Sequence, residues 1–387
     1  MMFGYEKQEL EKLNALCTAS EIMQQPELWD KTYQMIVQNK SKIKNFLNKN
    51  VTKEARVIFT GAGSSDYIGD TIVNYLSRKI KVRTEAIATT DIVSNPEDYL
   101  EEDTKTVLVS FARSGNSPES VGAYHLFQNH VKEIAQVIIT CNKDGELAKQ
   151  AEKEKDHFVF LLPEETNDKS FAMTSSLSCM MLAALLFFDI DHLEENKNFV
   201  DIIIEQGKEI LENQWQTIKD LSMQPVQRLV YLGSGCFHGL VQELALKNME
   251  LTNGRIATMQ ESILGFRHGP KTFMDDETNI IVLLSQDDYT NLYCKDLLQE
   301  IHQDKGNHKL TVFSYEEDSS LKNNCDTYIS VAGKRIPDNY ACFNYLLYGQ
   351  LLGFFNSLGL GIAPDNPSPD GTVNRVVKGV TIHKYTK

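Results

Sequence analysis

The sequence is short of positive charge. Its 387 residues carry 39 Lys and Arg against 53 Asp and Glu, a formal net charge of −14. A general binder of nucleic acid or of an anionic membrane needs a basic surface, so neither partner is expected. Any phosphate-binding function must rest on a small local site. Disulfide signals are also lacking: seven cysteines, an odd number, are scattered with no C-x-x-C pair. That pattern fits a reducing cytoplasm better than a disulfide framework. The opening stretch "MMFGYEKQELEKLNALC" has no basic-then-apolar pattern, so no signal peptide is expected. No apolar run reads as a membrane span. "LSCMMLAALLFF" (177–188) is too short. "YLLYGQLLGFFNSLGLGIA" (345–363) is nearly long enough but holds Gln350, Asn356, Ser357 and four glycines. Both read as buried core helices. The nine histidines form no H-E-x-x-H motif, so no metal and no other cofactor is expected.

What is present is length for two ordinary domains and enough apolar residues, 42 %, for sizeable cores. Residues 1–50 read as two amphipathic helices. From Arg56 onward strands alternate with helices: "RVIFTG", "TKTVLVSFARSG", "AQVIITCN" and "DHFVFLLP" are strands. Pro118 sits near a helix start, where proline is tolerated. Such alternation implies a parallel, doubly wound α/β sheet. The pattern then begins again. "RLVYLGSGCFHGLVQELAL" echoes "RVIFTGAGSSDYIGDTIVN", with Gly233 standing 172 residues after Gly61. "TNIIVLLSQDDYTNLY", "KLTVFSYE" and "DTYISVAG" continue the second copy. The expected organisation is N-terminal helices at 1–50, a first α/β domain at 51–205, a second at 215–363, and a tail at 364–387. A helical stretch at 191–220 joins the two domains. The copies are unequal, because the serine loop "SGNS" of the first has become "QDDY" in the second. Acidic side chains do not hold a phosphate, so one phosphate site per chain is expected, in the first domain.

Three hydroxyl-rich helix starts mark that domain. "GAGSS" offers Gly63, Ser64 and Ser65 after the first strand. Glycines let the backbone approach an anion, and N–H groups at a helix start donate to it. A dinucleotide fold requires G-x-G-x-x-G, but these glycines fall at 61, 63 and 69. A P-loop requires Gly-Lys-Ser/Thr, which is absent. "ARSGNSPES" supplies Arg113, Ser114, Asn116 and Ser117 at the end of another strand, and "MTSSLS" supplies Thr174 and Ser175. Ser and Thr at helix starts commonly serve only as N-caps. Three such starts on one domain favour a pocket of neutral donors, suited to a sugar phosphate.

In the second copy, "LVQELALKNMELT" places Leu240, Leu244 and Leu251 on one helical stripe, with Lys247 and Glu250 at its edge. Position alone reads as a surface Glu243–Lys247 pair with Glu250 solvated. His268, in the loop "LGFRHGPKTF", and Lys378, in the tail "NRVVKGVTI", read by position as an ordinary loop histidine and a solvated tail lysine.

"GAGSS", "FARSGNSPE" and "LKNMELTNGRIA…LGFRHGP" together resemble the sugar isomerase (SIS) domain, present in tandem from about Val51 onward. The resemblance extends to the galactosamine-6-phosphate deaminase/isomerases, formerly named tagatose-6-phosphate ketose/aldose isomerases, and to the isomerase half of glucosamine-6-phosphate synthase. It implies two flavodoxin-like α/β domains and the loops at Gly63, Ser64, Ser65, Arg113, Ser114, Asn116, Ser117, Thr174 and Ser175 as the phosphate and sugar site. It implies Glu250 as the residue that moves a proton between adjacent sugar carbons, with Lys247 beside it in the substrate site. It implies His268 as the ring opener, donated by the partner subunit of a homodimer, and Lys378 as a tail lysine reaching the substrate. Two positions depart from the synthase: Ala112 replaces a phosphate-binding serine and Arg113 replaces a glutamine. A charged Arg113 compensates by pairing with phosphate. The synthase's ammonia-producing glutaminase domain is not expected here, which reverses the amino-sugar direction. The resulting expectation is conversion of galactosamine 6-phosphate to tagatose 6-phosphate and ammonium. Plain aldose–ketose isomerisation, glucosamine-6-phosphate deamination and non-catalytic sugar-phosphate sensing are the alternatives. A sensor is expected to keep the serine loops but lose the Glu–His–Lys set.

Overall fold

Strands covered on both faces need apolar runs rather than alternation. The segments RVIFT and TVLVSFA meet that condition, with every residue buried. They form β1 (Arg56–Thr60) and β3 (Thr106–Ala112), the centre of a parallel sheet with β2 (Arg83–Ala86), β4 (Ile134–Thr140) and β5 (Phe158–Leu161). The order is β2-β1-β3-β4-β5, with Arg56 paired to Thr106. A second parallel sheet holds β6 (Arg228–Leu232), β7 (Ala257–Glu261), β8 (Thr278–Leu283), β9 (Lys309–Ser314) and β10 (Thr327–Ser330). Its order is β7-β6-β8-β9-β10, the same topology, and Arg228 pairs with Thr278. Both register partners stand 172 residues after their first-copy counterparts.

The computed structural model describes residues 1–377 and 379–386. Contacts divide the chain into two units that do not follow chain order. The first-sheet unit comprises Glu27–Asp168, Met173–Lys197 and Asp370–Lys387; the second-sheet unit comprises Met1–Pro26, Lys169–Ala172 and Asn198–Pro369. The helices in chain order are α1 (Lys7–Lys12), α2 (Leu16–Met23), α3 (Gln25–Asn50), α4 (Ser64–Ile80), α5 (Thr89–Ser94), α6 (Pro118–His130), α7 (Glu146–Ala151), α8 (Ser175–Phe188), α9 (Leu193–Glu209), α10 (Trp215–Ser222), α11 (Cys236–Leu251), α12 (Asp288–Gln303), α13 (Ser319–Lys322) and α14 (Asp338–Gly359).

The N-terminal portion therefore holds three helices where the sequence reads as two. Asn14, with φ of 51°, breaks the run between α1 and α2. The two apolar runs are core helices: all of α8 is buried, as is α14 from Asn339 to Ser357. Among the described residues no single helix is long and apolar enough to cross a membrane.

The repeat reaches down to single dihedral angles. Gly63 precedes α4 at φ 57°, ψ −127°, and Gly235 precedes α11 at φ 63°, ψ −127°. Only glycine adopts such angles without strain. A Cβ on Gly61 would lie 2.4 Å from the Ser65 backbone carbon, and one on Gly233 would lie 2.7 Å from Phe237 Cβ. Each strand thus turns into its helix through the same tight loop.

Candidate active site

In a 2-1-3-4-5 sheet the chain leaves β1 toward one side and β3 toward the other. The crevice at the C-terminal ends of these two strands is where open α/β sheets take ligands. Residues 61–65 follow β1 and residues 113–117 follow β3, so topology alone brings both serine loops to that switch point. Ser64 and Ser65 are buried, and the Ser65 hydroxyl lies 3.9 Å from Met173 Sδ, next to Thr174. Gly115 takes φ of 68°. The loop it bends is braced from the loop after β4 and the start of α7: Asn142 Nδ2 donates to the Ser114 carbonyl (2.8 Å), and Asn116 Oδ1 accepts from the Glu146 N–H (3.0 Å).

These hydroxyls do not serve as caps. Gly63, Ser117 and Thr174 are the N-cap residues of α4, α6 and α8, and none makes a side-chain capping bond. At α8 the cap is Asp168, whose carboxylate accepts from the N–H groups of Thr174 and Ser176 (2.8 Å each) and from the Ser175 hydroxyl. Trp29 Nε1 donates to Ser178 Oγ at 2.9 Å. Thr174 Oγ1 and Ser176 Oγ are buried with no hydrogen-bond partner among the described residues. Arg113, buried at the end of β3, donates to the carbonyl of Arg375 (2.9 Å), which brings the tail into this unit. Next to Ser65, the half-buried Asp66 has its carboxyl pKa pushed up to about 7 by burial, with Asp70 and Asp91 adding to the shift.

The matching loop after β8 in the second sheet carries carboxylates in place of hydroxyls. Asp287 caps α12 by accepting from the Thr290 N–H at 2.8 Å, a bond that holds its carboxyl below the usual range. Asp338 accepts from the Gln286 N–H (2.9 Å) and the Ser285 hydroxyl (2.5 Å). Carboxylates already occupy the donors that a phosphate would need.

The second-sheet unit carries a different cluster. On α11, Glu243, Lys247 and Glu250 lie one turn apart, and Glu243 and Lys247 are 1 % exposed. This corrects the surface reading of that pair. The Lys247 ammonium stands 3.6 Å from Glu243 Oε1 and makes a short bond to Glu250 Oε2, while the Glu250 side chain keeps 24 % exposure. The cause is α14. Gly349 lets it approach so closely that a Cβ there would lie 2.4 Å from Leu244 Cδ2. Asn248 ties α11 to α14 by accepting from Asn356 (2.8 Å) and to β6 by donating to Tyr231 (2.6 Å). The result is a partly exposed carboxylate held by a buried cation, a group suited to take and return a proton.

His268 sits exposed between two short 3₁₀ turns, Gly265–Arg267 and Pro270–Phe273. Glu300 on α12 pins both sides of it, through Arg267 Nε (2.6 Å) and Lys271 Nζ (2.6 Å). Those cations hold the Glu300 carboxyl below its ordinary range, Lys271 foremost. Among the described residues no hydrogen bond or ion pair joins the His268 imidazole to Glu250. Lys378 lies outside the described residues. No group of three or more His, Cys, Asp or Glu among the described residues is placed to hold a metal ion.

A family model, the SIS domain, matches residues 50–189. A relative named D-galactosamine-6-phosphate deaminase AgaS, from Shewanella sp. ANA-3, is 38 % identical over 384 residues, covering 98 % of this chain and 95 % of the relative. The chain belongs to the D-galactosamine-6-phosphate deaminase (AgaS) family of SIS-domain proteins. It is also similar to a crystallised Clostridium novyi NT protein assigned as a tagatose-6-phosphate ketose/aldose isomerase. That pair has a TM-score of 0.97 and 45 % identity, covering 100 % of this chain and 99 % of the other. The C-terminal domain of glucosamine-fructose-6-phosphate aminotransferase from Francisella tularensis shares the fold, with a TM-score of 0.75 at 18 % identity over 94 % of this chain and 99 % of that one. AgaS-family membership makes the chain an enzyme.

The sequence reading missed Asp168, Glu300 and Arg375. Asp168 had a weak signal, an acid six residues ahead of a hydroxyl-rich helix start. Glu300 had none, since its partners lie 29 and 33 residues away.

Proposed function

We propose that this AgaS-family chain deaminates galactosamine 6-phosphate to tagatose 6-phosphate and ammonium. The observation that carries the reading is Glu250, a partly exposed carboxylate bonded to a buried ammonium. Ser64, Ser65, Ser114, Asn116, Ser117 and Thr174 hold the phosphate and sugar hydroxyls, with Arg113 adding charge. His268 opens the ring by moving a proton between the ring oxygen and the C1 hydroxyl. Glu250 then removes the proton from carbon 2, leaving an enolamine. It returns a proton to carbon 1, giving the ketose imine. Water adds to carbon 2 of the imine and ammonia leaves, so the net reaction is hydrolytic. Lys378 stabilises the developing oxyanion of the open chain. The functional unit is a homodimer in which His268 serves the partner's site, a role that suits its exposed imidazole. Seven free cysteines fit a cytoplasmic enzyme.

A second reading, aldose–ketose isomerisation without loss of an amine, is favoured by the name of the Clostridium novyi neighbour and uses the same proton transfer. One assay separates the two. Galactosamine 6-phosphate, glucosamine 6-phosphate and the matching neutral aldose phosphates are each incubated with the enzyme, and ammonium and ketose are measured. Ammonium from the galacto epimer at the highest kcat/KM supports the proposal. Ketose from the neutral sugars alone sinks it in favour of isomerisation.

A further inference from the structure

The C-terminal tail is fastened to the first-sheet unit at two points. Toward its end, the Tyr385 ring meets His130 edge-on at 5.2 Å and Ile382 packs against Gly122. The other fastening is polar and convergent. Arg375 Nε donates to the Asp168 carbonyl (3.0 Å), and its Nη2 donates to the same carbonyl and to Asn167 Oδ1 (3.2 Å). The Arg375 carbonyl in turn accepts from Arg113 Nη2 (2.9 Å). Asp168 is fully buried, and its carboxylate is spent on the start of α8, at Thr174, Ser175 and Ser176. One residue therefore fixes a hydroxyl-rich helix start with its side chain and the tail with its backbone. Through Arg113 the fastening reaches the loop after β3. None of these groups is an apolar filler, and a guanidinium fork is the side chain that grips several oxygens in one geometry.

We infer that Arg375 and Asp168 are positioning residues that clasp the C-terminal tail onto the serine-loop unit, and that turnover of the open-chain sugar depends on this clasp. The catalytic half of this inference rests on the role proposed above for Lys378; the clasp itself does not. A loosened tail leaves phosphate binding largely intact and misplaces a group needed at the reacting carbons. The loss therefore falls on kcat rather than on KM.

Arg375→Met tests this, with Arg375→Lys as a milder variant that keeps the charge without the fork. Amide hydrogen exchange is followed over residues 370–386, alongside kcat and KM for ammonium release. The expected result for Arg375→Met is exchange about tenfold faster in the tail, with the rest of the chain unchanged. With it comes a fall in kcat of about 10- to 100-fold at nearly constant KM. Arg375→Lys is expected to fall between this variant and the wild type on both measures. Unchanged tail exchange in both variants overturns the clasp. Faster exchange with wild-type kcat overturns the positioning role. A wild-type enzyme that releases no ammonium defeats the proposed reaction instead, and the exchange measurement then decides the clasp alone.

Discussion

A lysine ammonium in a protein interior is costly unless its partners are in place. Among the described residues Lys247 is ion-paired to Glu243 and Glu250, and of these two carboxylates Glu250 is the one that reaches solvent. Replacing Lys247 with Met leaves Glu243 buried without its cation. Urea unfolding is expected to show a loss of about 3–5 kcal/mol. Glu250→Gln keeps size and an acceptor for the Lys247 ammonium, with Glu243 still its counter-charge, so its unfolding midpoint falls less than that of the Lys247 variant while kcat falls by about 10²- to 10⁴-fold. Asp66 adds a pH dependence. Its folded pKa, about 7, lies above the ordinary value of 3.8, so the folded state holds the proton longer than the unfolded one. Stability from this group is complete below about pH 4 and is lost as pH rises through 7. Asp66→Asn should remove that loss, gaining about 2 kcal/mol above pH 7 once solvent screening is allowed for. Urea midpoints measured at pH 5 and pH 8 check it. Little of this was legible at the residue scale. The stripe of Leu240, Leu244 and Leu251 marks one buried side of α11, but the approach of α14 at Gly349 covers Glu243 and Lys247 as well. A single helix does not carry the sequence of its neighbour.

At the scale of elements, the two glycine turns form a natural control. Gly61→Ala and Gly233→Ala each force a Cβ into the following helix. Both should cost about 1–3 kcal/mol by crowding. Only Gly61→Ala displaces Ser64 and Ser65, so only it should raise KM for the sugar phosphate. Equal effects on KM would remove the serine loop from the substrate site. The central strands were readable because burial on both faces demands the apolar runs of β1, β3, β4 and β8. The edge strands β2, "RTEA", and β7, "ATMQE", were not, since each is short, polar and partly exposed, with only one neighbour to satisfy. The cap of α8 escaped because Asp168 reaches forward across a loop to residues 174–176 instead of standing at the N-cap position.

For the whole molecule, duplication explains both the likeness and the division of labour. The two sheets share strand order, register and turn angles, yet the loop after β8 carries Asp287 where the loop after β3 carries serines. The 172-residue repeat made this organisation legible from sequence. If His268 serves the partner's site, mixing inactive Glu250→Gln and His268→Ala chains by unfolding and refolding should restore about a quarter of wild-type activity, from mixed dimers with one intact site. No recovery would place both residues in the same subunit's site. The most direct test of the account is product stoichiometry from galactosamine 6-phosphate. The wild type should form ammonium and tagatose 6-phosphate in equal amounts, and Glu250→Gln should form both at least about a hundredfold more slowly. Ketose without ammonium, or equal turnover by the Glu250→Gln variant, would contradict it.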